Sequence, residues 1–137
     1  MAIVLFDSNI LIDHILGYRE ATLELAAYDD AVISAVSWME VTCKLSVEAR
    51  NEFDVHLLLG GIKVVHTNDA IMRRTAELRG LTWKKLPDCI IRATAEMEGR
   101  IVVTRNPVDF GGHSNSLVRI PYEIKGGKVV SITPPLP

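Results

Sequence analysis

Asp7, Glu40, Asp88 and Asp109 occupy places where a carboxylate invites a chemical reading. Asp7 directly follows the apolar run Ile3-Val4-Leu5-Phe6. Asp109 comes shortly after a second such run, Ile101-Val102-Val103-Thr104. Asp88 stands in the opening turn of a helix, after Leu86-Pro87, and Glu40 lies amid Trp38, Met39, Val41 and Thr42. Carboxylates gathered in one crevice repel, since two unit charges about 4 Å apart cost on the order of 4 kcal/mol at an effective dielectric of about 20. Such a cluster persists when its protons are held more tightly or when cations occupy it. Hard oxygen donors select Mg²⁺ or Mn²⁺ over zinc. A pair of such ions can clamp the attacking and leaving oxygens of an in-line phosphodiester displacement.

Each acid also has a structural explanation of its own. Asp7 can cap the helix that follows it. Asp109 can belong to the turn begun by Asn106-Pro107. Asp88 is favoured in a first helical turn by the helix dipole. Glu40 fits a solvated helix face, or the S-x-x-E capping box begun by Ser37. The chemical reading rests on the set.

The elements that must bring the set together alternate strand and helix, the pattern of an α/β layer fold with a parallel sheet. A strand at Ile3–Phe6 is apolar throughout, as a strand buried on both faces should be. Helices are expected over about Ile10–Leu16 and Arg19–Tyr28. A strand follows at Ala31–Ser34, then a helix begun by Ser34 or Ser37 and running to about Leu45. A further helix covers Val47–Leu59, and Ile62–Val65 forms a third strand. The helix Asp69–Arg79 is expected to stop at Gly80. Proline in the first turn suits the helix Leu86–Glu98, and Ile101–Thr104 is the fourth strand. Arg105–Ser116 reads as loop with one helical turn, and Arg119-Ile120 as a fifth strand. Tyr122–Ile132 reads as a hairpin about Gly126-Gly127. The tail, Thr133–Pro137, is expected to be loose.

Four segments carry a family resemblance. Phe6-Asp7-Ser8-Asn9-Ile10-Leu11-Ile12 resembles the opening of PIN-domain proteins, especially the VapC-type toxins of toxin–antitoxin pairs. Ser34 to Val41 is similar to their second motif, Leu86 to Ala95 to their third, and Val102 to Phe110 to their fourth. All four occur in order. The resemblance implies a three-layer PIN-like fold, with a central parallel sheet flanked by helices. It implies that Asp7, Glu40, Asp88 and Asp109 hold one or two Mg²⁺ or Mn²⁺ ions and that the substrate is RNA. Ser8 or Asn9, Thr104 and Asn106 fall where the family supports its site through hydrogen bonds. The family further implies a VapB-type antitoxin and a homodimer. We look for the antitoxin on an apolar groove around Leu23 and Leu57–Leu59. Other readings are a non-toxin RNA-processing nuclease and an inactive PIN-like module that binds RNA or protein.

Arg92, one turn after Asp88, and Arg105 are candidates to hold the RNA phosphate, though Arg92 can equally be a solvated charge. Trp38 suits a packing role better than base stacking. Trp83, before Lys84 and Lys85, suits an exposed contact with RNA or a partner.

The 137 residues are expected to form one domain, with a core over about 2–120 and a C-terminal hairpin and tail over about 121–137. The formal net charge of −2 neither announces nor excludes a nucleic-acid binder. Cys43 and Cys89, without a C-x-x-C, read as reduced core thiols. No basic leader precedes the first apolar run and no run is long enough for a membrane span, so a cytoplasmic location is expected. His14, His56, His66 and His113 lack metal-ligand spacing. No G-x-S-x-G, G-x-x-x-x-G-K or G-x-G-x-x-G occurs.

Overall fold

The computed structural model describes residues 1–112 and 115–137. His113, considered above as a ligand, lies outside the described residues. In chain order the elements are β1 (Ile3–Phe6), α1 (Ser8–Ile15), α2 (Arg19–Leu25), β2 (Asp30–Ser34), α3 (Ala35–Thr42), α4 (Val47–Leu59) and β3 (Lys63–Val65). Then come α5 (Asp69–Thr82), α6 (Leu86–Glu98), β4 (Ile101–Val103), a one-turn 3₁₀ helix (Pro107–Phe110), β5 (Val118–Arg119), β6 (Glu123–Lys125) and β7 (Lys128–Val130).

The five-stranded sheet has the order β3-β2-β1-β4-β5, and every neighbouring pair is parallel. β6 and β7 form a separate antiparallel hairpin. Alternate side chains of a strand point to opposite faces, and β1 uses both. Val4 and Phe6 join Ile10, Leu11, Leu25, Phe53 and Leu57 on the side of α1, α2 and α4. Leu5 joins Ile91 and Ala95 of α6 on the other side. A third cluster, Ile71, Leu78, Cys89 and Ala93, binds α5 to α6. The chain is therefore an α/β fold with helices on both faces of a parallel sheet and a C-terminal hairpin, as the alternation required. No helix among the described residues is long and apolar enough to cross a membrane.

Several local expectations are corrected. Of the two serines offered as the start of α3, Ser34 is the one used, its side chain accepting from the Val36 N–H, and Ser37 is not. The capping box to Glu40 is therefore not made. Ser37 lies inside the helix, buried, with its hydroxyl unpartnered among the described residues. α5 does not stop at Gly80 but continues to Thr82, and Trp83 closes it in the left-handed conformation. The tail is pinned: the Ala2 N–H donates to the Pro137 carbonyl at 2.8 Å, and the Leu136 N–H to the Tyr28 hydroxyl at 3.2 Å. Cys89 is buried, but Cys43, the C-cap residue of α3, is exposed.

Candidate metal centre at the carboxyl ends of the strands

Ligands of parallel α/β sheets bind beyond the carboxyl ends of the strands, and all five parallel strands end on that side. β1 ends at Phe6, so Asp7 is the first residue outside it. Asp7 caps α1, its carboxylate accepting from the Ser8 N–H at 2.8 Å. The capping role is thus real, and it accounts for part of the side chain. The other carboxylate oxygen accepts from the Thr104 hydroxyl at 2.8 Å and from the Asn9 amide at 3.2 Å. Thr104 arrives because β4 is the parallel neighbour of β1. Asn9 also donates to Thr104, at 3.2 Å.

Glu40 comes from α3, which follows β2, and the Ser8 hydroxyl donates to it at 2.6 Å. Asp88 sits in the first turn of α6, whose packing against α3 brings it towards Glu40. Asp109 lies on the 3₁₀ turn after β4, and the Asn106 amide donates to its carboxylate at 2.6 Å. The Asn106 N–H in turn donates to the Thr104 hydroxyl at 2.9 Å. Ser8, Asn9, Thr104 and Asn106 thus all touch an acid of the set or a neighbour of one.

The electrostatics join the four. Burial raises the Asp7 carboxyl to about 6, and the charges of Asp88 and Glu40 add to the rise, against the lowering effect of the Thr104 and Ser8 hydrogen bonds. Asp88 is raised by burial, then by Asp109 and Glu40, while Lys85 and Lys84 oppose this. Every acid of the set therefore acts on at least one other.

The donor set is all carboxylate oxygen, which suits a hard divalent cation. It is not a closed cage. Among the described residues, no three acidic, histidine or cysteine side chains stand close enough together to hold one ion. Mg²⁺ is ordinarily held by one or two carboxylates and keeps several waters, so an open set of this kind fits that ion better than a tetrahedral zinc.

The two arginines are engaged elsewhere. Arg105 makes a bidentate pair with buried Asp13, at 2.6 and 3.0 Å. The guanidinium expected to face the phosphate is therefore turned towards Asp13. Arg92 donates to Glu96 at 3.1 Å, further along its own helix. Leu23 and Leu57–Leu59 do not form the expected groove: Leu57 belongs to the core, Leu58 and Leu59 are exposed, and Leu23 lines a depression closed by the C-terminal tail. A larger apolar groove, about 480 Å³, lies between α3 and β3, lined by Ala35, Val36, Trp38, Met39, Val64 and His66. Trp38 packs partly against the core and donates to Asp54 at 2.7 Å. Trp83 is exposed.

Sequence reasoning missed Asp13. It is 2% exposed, paired with Arg105, and accepts from the Tyr122 hydroxyl at 2.8 Å. An acid inside the apolar run Ile10–Ile15 was the available signal. It missed equally the buried pair of Glu24 with Arg119, at 2.6 and 3.0 Å.

The PIN domain family matches residues 4–110. A search of curated protein sequences gives no match. Among solved structures, a chain of a toxin–antitoxin complex from Klebsiella pneumoniae is 36% identical, with a TM-score of 0.75, covering 88% of this chain and 99% of that one. A chain of DNA-bound VapBC from Salmonella typhimurium is 19% identical, with a TM-score of 0.69 and coverage of 87% and 98%. A chain of VapBC2 from Rickettsia felis, solved with a DNA fragment from its promoter, is 20% identical, with a TM-score of 0.66 and coverage of 85% and 97%. At their identity the last two show a shared fold.

Proposed function

The chain belongs to the PIN-domain family, and on that premise we propose that it is a divalent-metal-dependent endoribonuclease, the toxin of a toxin–antitoxin pair. The observation that supports this most is Asp7: a carboxylate 6% exposed at the end of the central strand, with the charges of two other carboxylates acting on it. Its capping of α1 would be served as well by a neutral Ser or Asn, and a bound cation would offset what burying a charge there costs.

In this reading Asp7, Glu40, Asp88 and Asp109 supply oxygen ligands to Mg²⁺ or Mn²⁺. When bound, the cation supplies a water acidified towards neutral pH and positive charge beside the scissile phosphate. The protein's own part is orientation. Thr104 and Asn9 hold one oxygen of Asp7 while the Ser8 N–H holds the other. The Ser8 hydroxyl aims Glu40, and the Asn106 amide aims Asp109. Groups that orient ligands in this way commonly matter tenfold to a hundredfold in metal affinity, roughly. The partner in this reading is a small VapB-type antitoxin, since the 36%-identical relative was solved as a toxin–antitoxin complex. A homodimer in the cytoplasm completes the proposal.

A rival reading, a PIN-like module that binds without cutting, draws on the open spacing of the carboxylates. One experiment separates the two. RNA is incubated with the unmodified chain and with Asp7→Asn, in Mg²⁺, Mn²⁺ or EDTA. Cleavage by the unmodified chain that EDTA and Asp7→Asn both abolish supports the nuclease. Cleavage that survives either treatment contradicts the assignment of the site, and no cleavage together with no heat on titrating Mn²⁺ favours the module. Growth arrest on expression, relieved by a co-encoded small protein, distinguishes a toxin from an RNA-processing enzyme.

A further inference from the structure

Three residues before Leu86, where α6 begins, the chain does something costly. Trp83 closes α5 at φ 59° and ψ 15°, its N–H donating to the Arg79 carbonyl at 3.2 Å. Glycine is the ordinary residue for this left-handed position, and Gly99 does the same work at the end of α6. A tryptophan there carries strain that its contacts do not offset, for it is 80% exposed. Strained non-glycine residues concentrate where the backbone serves a ligand.

The surroundings name the ligand's chemistry. The Arg79 guanidinium lies over the indole, 5.7 Å from its centroid. Lys84 and Lys85 follow Trp83 directly, on the short connection into α6, whose first turn carries Asp88 of the candidate metal centre. No ion pair engages Arg79, Lys84 or Lys85 among the described residues, as is also true of Arg19, Arg50, Lys44, Lys63 and Lys128; what sets the three apart is that they lie beside one exposed aromatic ring. The loop is held in place: the Lys84 N–H donates to the Thr82 hydroxyl at 3.3 Å, and Thr82 donates to the Leu78 carbonyl at 2.7 Å. An exposed aromatic ring flanked by unpaired cations is the recognition surface for a single-stranded nucleic acid, a base on the ring and phosphates on the cations. A hydrophobic protein partner would not call for three positive charges around the ring, none of them in an ion pair among the described residues.

We propose that Trp83, Arg79, Lys84 and Lys85 form a stacking platform that receives one base of single-stranded RNA and leads the strand to the carboxylates at Asp88. This rests on the nuclease reading and adds a subsite to it. Stacking is tolerant of base identity, so the platform sets where along a flexible strand the phosphate is presented rather than which letter is read.

The test uses the full chain carrying Asp7→Asn, to hold RNA without cutting it, and a short fluorescein-labelled oligouridylate followed by anisotropy. Adding Trp83→Ala weakens binding about tenfold, a typical loss for one stacked base, while Trp83→Phe retains most of the affinity. Lys84→Ala with Lys85→Ala flattens the dependence of log K on log salt by about 1.4, two phosphate contacts' worth for a single strand. Trp83→Gly melts higher than the parent, since it removes the strain, yet binds RNA as weakly as Trp83→Ala. This combination excludes misfolding as the cause. In otherwise unmodified chain, Trp83→Ala raises KM and leaves kcat unchanged. Unaltered RNA affinity and kcat/KM in Trp83→Ala, beside a parent that binds and cleaves, overturn the platform and leave the nuclease standing. A parent that neither binds nor cleaves RNA overturns both.

Discussion

Replacing Asp7 by Asn should make the metal-free protein more stable at neutral pH. The carboxyl stands at about 6 in the folded protein against 3.8 in a free chain. That gap of about 2 units corresponds to about 3 kcal/mol. The sign follows from proton counts. Between the two values the folded state holds the proton and the unfolded state does not, so stability falls as pH rises. The contribution is fully present below 3.8 and is lost as pH passes through about 6. Asn carries no charge to bury and does not repel Asp88 or Glu40. It can keep one accepting oxygen, so one of the three donors now on the carboxylate loses its acceptor, at about 1 kcal/mol. The net gain at pH 7.5 is about 2 kcal/mol, or a Tm higher by about 7 °C for a domain of this size. The assay is thermal melting by circular dichroism in EDTA, for both proteins, at pH 7.5 and pH 4. The gap should shrink or reverse at pH 4, and Mn²⁺ should raise the Tm of the unmodified protein alone. A Tm lowered by Asp7→Asn at pH 7.5, or a gap identical at both pH values, would refute the reasoning.

Ser8→Ala frees Glu40 from its hydrogen bond and should weaken Mn²⁺ binding by about tenfold or more in calorimetry, with little change in Tm. Arg119→Met leaves Glu24 buried without its partner. It should lower the unfolding free energy in urea by about 3–5 kcal/mol, and adding Glu24→Gln should recover much of this. A thiol reagent should label Cys43 in the native protein and reach Cys89 on unfolding, as counted by mass spectrometry.

The parts of the fold that local rules determine were legible. Ile3–Phe6 is apolar at every position because both faces of a central strand are covered. β3 reads less cleanly, with Lys63 exposed, because it is the edge of the sheet. Gly80 was a reasonable end for α5, but glycine inside a helix costs about 1 kcal/mol, and the packing of α5 on α6 carries the helix through it. The capping box at Ser37 lost to Ser34 because β2 delivers the chain to the helix one turn earlier. Partners distant in sequence were not legible. Arg105 finds Asp13 across 92 positions, and the proline-rich tail is fixed by Tyr28 and Arg119 on elements placed by the whole fold. At the candidate site the residue types and their order were readable, because Asp7 follows a strand, Asp88 opens a helix and Asp109 lies on the turn after a strand, whereas Glu40, inside α3, stood out only as an acid among apolar neighbours. The hydrogen bonds from Ser8 to Glu40 and from Thr104 to Asp7 follow from the β1–β4 pairing and from α1 packing on α3, which no local pattern encodes.

Crystals of the protein soaked in Mn²⁺, with diffraction recorded at the manganese absorption edge, test the centre directly. The account predicts an anomalous peak about 2.1 Å from a carboxylate oxygen of Asp7, with Glu40, Asp88 or Asp109 drawn towards it. Density at full manganese occupancy elsewhere on the surface, and none beside Asp7, would contradict it.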